Sequence, residues 1–161
     1  MKIRYRQIVP SDIPSLFAVR IATWHNEHGA AELAELGITP ESVGEQLLYS
    51  HRGWVAEGEG RVIGFAIGNH LTGEMWVIAV LKEYEGHGIG MRLLASVENW
   101  LFSEGWNEIW LTTDPDENYR AVGFYRHLGW KDWKLEPDGD RFMKKTEPNR
   151  FEHVQDGTES Q

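Results

Sequence analysis

The apolar positions of the chain change period several times, and each change marks an element. Ile3, Tyr5 and Gln7 alternate against the residues between them, the period-two pattern of a first strand. Ser11 or Asp12 then offers a helix N-cap, Pro14 suits the first turn, and Ile13, Phe17, Ile21 and Trp24 recur at helical spacing, flanked by Leu16 and Arg20. A second helix is predicted from Thr39-Pro40, with Val43, Leu47 and Leu48 facing inward. Strand-like runs follow at 54–56 and 62–67, joined by the turn Glu57-Gly58-Glu59-Gly60. A third, residues 75–81, is nearly continuous apolar sequence and reads as a strand buried on both faces.

Beyond a glycine-rich turn, Leu94, Val97, Trp100 and Leu101 give a helix that Gly105 stops. A strand over 109–112, a helix over 118–128 closed by Gly129, and a hairpin turned by Pro137-Asp138-Gly139 complete the pattern. The expected order is β-α-α-β-β-β-α-β-α-β-β. The fold class is α/β (α+β): a mixed, mostly antiparallel sheet of about seven strands with about four helices.

At 161 residues the chain fits one domain, expected over 1–147, with a loose tail over 148–161 where apolar residues thin to Phe151 and Val154. The 16 basic and 25 acidic residues leave a net charge of −9, which argues against nucleic acid or an anionic membrane as partner. With no cysteine, a disulfide scaffold, a thiolate nucleophile and a cysteine-ligated metal are excluded. No segment approaches the ~20 apolar residues of a membrane span. The start, MKIRYRQIVP, lacks the apolar core of a signal peptide, so a cytoplasmic protein is expected.

The turn Glu85-Gly86-His87-Gly88-Ile89-Gly90 lies between a buried strand and an amphipathic helix. Glycines there let the backbone approach a ligand, and the unpaired N–H groups of a helix start attract an anion such as phosphate. The same residues also serve a tight strand-to-helix turn that only needs positive φ. Neither a dinucleotide fingerprint nor a P-loop fits, since the required third glycine and Lys-Ser/Thr are missing.

Thirty residues on stand Asn118, Ala121, Phe124, Tyr125, Gly129 and Trp130. With these two motifs, in this order and separation, the sequence resembles the GNAT superfamily of N-acetyltransferases. There the turn reads Arg/Gln-x-x-Gly-x-Gly/Ala and the second motif Asn-x-x-Ala-x-x-Phe-Tyr-x-x-x-Gly-aromatic. The resemblance covers Lys2 to about Lys145.

It implies an enzyme that moves the acetyl group of acetyl-CoA to a primary amine by direct attack in a ternary complex, without a metal. The pyrophosphate would sit on the amides of Gly86, His87, Gly88, Ile89 and Gly90, with Arg92 as a side-chain helper. An exposed N–H near Val80 and Leu81 would bond the thioester carbonyl, and Asn118 would contact the pantetheine arm. Tyr125 matches the general acid that protonates the departing thiolate, a role suited to a phenol of pKa near 10. As a residue it also reads as a core side chain beside Phe124. Glu74 matches the general base, and as a residue it also reads as a solvated strand start.

One position departs from the pattern: Glu85 stands where the family usually has Arg or Gln. A carboxylate there repels a pyrophosphate unless it points outward or pairs with a neighbour such as Arg92. That departure motivates a second reading, a non-catalytic acyl-CoA-binding sensor or partner-binding module. The acceptor would be a small-molecule or protein amine, and the tryptophans offer apolar surface for a homodimer, common in this fold. His25 and His28 read as acceptor-pocket or surface residues, not metal ligands. Asp114 and Asp116 read as turn and cap residues.

Overall fold

Asp12 sets the first corner of the chain. Its carboxylate accepts the Val9 N–H at 2.8 Å and a forked pair of bonds from the Arg6 guanidinium, 2.7 and 2.8 Å. Arg6 also pairs with Glu57, so one side chain ties the first strand to the second and to the start of the first helix. The computed structural model describes residues 2–23, 29–114, 116, 120–137 and 139–148. They fall in two compact units, Met1–Leu101 and Phe102–Gln161.

The first unit contains β1 (Ile3–Gln7), α1 (Ile13–Thr23), α2 (Ala30–Glu35), α3 (Pro40–Tyr49), β2 (His51–Gly58), β3 (Arg61–Asn69) and β4 (Glu74–Val80). It also holds nearly all of α4 (Ile89–Ser103). Its strands run in the order β1-β2-β3-β4, each antiparallel to the next. The second unit carries β5 (Glu108–Thr113), α5 (Arg120–His127), β6 (Lys131–Leu135) and β7 (Arg141–Thr146), with β7 pairing antiparallel to both β5 and β6. Its core is Ile109, Leu111, Val122, Trp130 and Met143.

The element order follows the hydrophobic pattern with one addition, α2. Its six residues are too few to show a helical period, and no side chain caps its start. Thr39 and Ser42 form the reciprocal cap that opens α3, each side chain bonding the other's backbone N–H.

Two predicted faces are corrected. On α3 only Val43 is buried; Leu47 is half-buried and Leu48 is 74% exposed, so the inward face of the helix is narrower than predicted. On α1 the buried seam is Ile13, Leu16 and Val19, one position round from the predicted stripe, and Ile21 is exposed. β4 is likewise not buried on both faces along its length: Met75 and Ala79 are buried, while the residues between them are half-buried. Trp24, Asp138 and all but Pro148 of the expected tail lie outside the described residues.

Candidate active site

β4 carries one residue more than β3 can pair. Ile67 faces Val77 and Gly68 faces Met75, so Trp76 is left over as a bulge. The consequence for side-chain direction can be read from the neighbours. A Cβ on Gly68 would strike Val97 and touch Trp100, so Gly68 and its opposite number Met75 face α4. Phe65 and Ile67 face the other way, towards α1, together with their partners Ala79 and Val77. Without the bulge, strict alternation would put Met75 on the α1 face and Glu74 on the α4 face. With it, Trp76 and Val77 both open towards α1, and Glu74, opposite Asn69, returns to that face.

That face holds a cavity of about 200 Å³. Leu16, Phe17 and Arg20 of α1 line it, with Leu33 and Leu36 at α2, Ile38, and Val43 of α3; Phe65, Ile67, Trp76 and Val77 form the sheet side. Trp76 is braced by His51, whose ring meets it edge-on with centroids 5.0 Å apart. His51 is buried, hydrogen-bonded to the Ser50 hydroxyl at 2.6 Å, and sits in register with Asn69. Burial, and secondarily the nearby His70, lowers its pKa to about 4, so at neutral pH the imidazole is uncharged. Glu74 is half-buried, and the loss of solvent around its carboxylate raises its pKa above the ordinary glutamate value.

At the other end of β4, the Leu81 N–H donates to the Ile63 carbonyl at 2.9 Å. This corrects the expectation of an exposed amide at Leu81: it is committed to β3. Antiparallel bonding alternates along a strand, so Ile78 and Val80, on either side of Ala79, direct their N–H groups away from β3.

The glycine turn that follows is exposed from Glu85 to Gly88. Gly86 and Gly88 have φ of +84° and +75°, a conformation L side chains rarely adopt, and a Cβ on either would meet nothing closer than 4.0 Å. Open space therefore lies above the backbone at the start of α4, where unpaired N–H groups favour an anion. Nδ1 of His87 donates to the carbonyls of Tyr84 and Glu85, at 3.0 and 3.2 Å, and holds the turn. Ile89 is buried and Gly90 lies in the first turn of α4. Arg92 lies over the Tyr5 ring, 4.5 Å from its centroid. In the second unit Tyr125 is 6% exposed and packs against Phe124 and Trp130, with centroids 5.4 and 6.0 Å apart. The Asp116 N–H donates to the Asp114 carboxylate at 2.9 Å, as in a turn. Asn118, His25 and His28 lie outside the described residues.

A family model described as the acetyltransferase (GNAT) family matches residues 16–130, which include both the bulged strand and the glycine turn. The chain belongs to the GNAT acetyltransferase family. Among GNAT relatives, it is 38% identical over 111 residues to an uncharacterised N-acetyltransferase of Methanocaldococcus jannaschii, covering 63% of this chain and 70% of that one. It is 31% identical over 144 residues to a mycothiol acetyltransferase of Pseudarthrobacter chlorophenolicus, covering 81% of this chain but only 43% of that protein. The crystal structure of PaiA N-acetyltransferase from Thermoplasma acidophilum, in complex with coenzyme A, superposes with a TM-score of 0.80 at 20% identity. That match covers 91% of this chain and all of the other, so the fold is the GNAT fold. No helix among the described residues is long and apolar enough to cross a membrane.

The sequence carries no signal for the bulge, because an extra residue in an apolar strand leaves the composition unchanged. It does mark Phe17 as apolar, but periodicity cannot separate a cavity wall from a core side chain. Leu33, Leu36 and Ile38 escape sequence reasoning for want of a visible helix at α2.

Proposed function

We propose that this GNAT protein transfers the acetyl group of acetyl-CoA to a primary amine. The observation that carries the reading is the open, left-handed backbone at Gly86 and Gly88 at the start of α4, a cradle for a pyrophosphate. The amides from Gly86 to Gly90 would hold it, with Asn118 on the pantetheine arm. Arg92 would assist only by leaving the Tyr5 ring. The exposure of Glu85 lets its carboxylate point to solvent, which reduces repulsion.

In the reaction the amine nitrogen attacks the thioester carbon, and the carbonyl electrons move to oxygen. The Val80 N–H, turned away from β3, is the proposed donor to that oxygen. Collapse reforms the carbonyl and breaks the carbon–sulfur bond. Glu74 takes the proton lost by the amine, directly or through water, and Tyr125 supplies one to the thiolate. The acceptor's amine proton and the tyrosine's proton leave the net charge balanced once the two residues re-equilibrate with solvent.

Calorimetric titration with acetyl-CoA, followed by an amine panel read by thiol release, tests the reading. Micromolar binding with amine-dependent thiol release is expected, and Glu85→Gln binds more tightly if Glu85 repels the cofactor. Binding without thiol release for any amine would leave a non-catalytic acyl-CoA-binding module; no binding would remove the cofactor assignment.

A further inference from the structure

The cavity on the α1 face of β4 is walled almost wholly by carbon. We propose that it receives an apolar, ring-sized body carried by the acceptor amine, which makes the substrate class an arylalkylamine-like primary amine. The inference rests on the acetyl-transfer reading and deepens it. Three observations carry it.

The first is size: about 200 Å³ exceeds the ~150 Å³ that accommodates benzene in an engineered apolar cavity. The second is lining. Phe17, Leu33, Ile38, Phe65, Ile67 and Trp76 offer no hydrogen-bond acceptor to a second ammonium, and a polyol would find only the Trp76 indole N–H as a donor, so burying such groups there is costly. Arg20 is the one charged side chain lining the cavity among the described residues, and its sign opposes a polycation. The third is direction. The bulge turns Trp76, Val77 and Glu74 to the same face, so a body seated against Trp76 leaves its amine on the side where the carboxylate stands. Leu36, 69% exposed yet part of the lining, marks the mouth.

The test compares 2-phenylethylamine, ethylamine and spermidine as acceptors by thiol release, and measures 2-phenylethylamine binding calorimetrically to protein saturated with coenzyme A. The ring is expected to raise kcat/KM over the other two amines by about tenfold or more, as burial of apolar surface predicts. Leu36→Lys, at an exposed position that tolerates charge, is expected to raise KM for 2-phenylethylamine about tenfold by placing an ammonium at the mouth, with acetyl-CoA affinity unmoved. Equal or better turnover of ethylamine or spermidine overturns the cavity assignment and leaves acetyl transfer standing. If no amine releases thiol, acetyl transfer fails, and calorimetry decides the cavity alone: 2-phenylethylamine binding that Leu36→Lys weakens about tenfold upholds it, and no binding, or binding that Leu36→Lys leaves unchanged, overturns it.

Discussion

A carboxylate at the start of a strand is ordinarily solvated, with a pKa near 4; Glu74 is half-buried, and burial raises that value. The sign matters for catalysis. A base works ionised, so acetyl transfer should fall on the acid side at a higher pH than an ordinary glutamate would allow. Glu74→Gln is expected to lower kcat by about 10²–10⁴-fold and to remove that acid limb from the pH–rate profile. A profile whose acid limb survives the substitution would assign the base elsewhere. Glu74 is legible in the sequence only through the family resemblance. Its burial is not, because the face it occupies depends on how β3 and β4 pair. Tyr125 is legible in both its readings, and its packing against Phe124 and Trp130 is compatible with either.

At the scale of elements, the corner joining β1, β2 and α1 hangs on Asp12. Arg6 holds its carboxylate below the ordinary range through their hydrogen bonds, assisted by the Val9 N–H and opposed by burial. Asp12→Ala leaves the Val9 N–H and the Arg6 guanidinium short of a partner and should cost about 2 kcal/mol in denaturant unfolding. A loss near zero would show that water replaces the carboxylate. The strands are readable because their alternation survives in the sequence, and the caps because Thr39-Pro40 and Gly105 are local signals. The sequence places α1 but rotates it by one position, since Phe17 and Ile21 are as apolar as the Leu16 and Val19 that the core takes.

For the whole molecule, acid should act in two stages. His51 has a pKa of about 4 when folded against an ordinary 6.5, so the unfolded chain binds a proton that the folded one refuses. Its contribution to stability is therefore constant above about pH 6.5 and falls as pH drops towards 4. Asp12, depressed on folding, contributes stability above the ordinary carboxylate value and loses it as pH falls through the lower, folded one. Thermal unfolding from pH 7 to 5 should show a declining Tm that His51→Gln flattens; an unchanged slope would assign the decline to other groups. The order of elements and the two motifs are legible at this scale, one motif in each unit. The division at residue 101 is not, since no linker composition marks it.

The bulge at Trp76 makes the facing of Glu74 a matter of parity, and the two ways of healing the ladder are not equivalent. Shorten β4 by Trp76 alone, and Met75 still meets Gly68 while Glu74 still meets Asn69; the carboxylate keeps its side and the cavity loses a ring from its wall. Lengthen β3 by one residue between Ile67 and Gly68 instead, and every partner is matched. The start of β4 then turns over, carrying Glu74 to the α4 side. A deletion in one strand would thus reshape the cavity wall, whereas an insertion in its neighbour would move a carboxylate from one face of the sheet to the other, and neither event would disturb the hydrophobic pattern by which the strands are recognised.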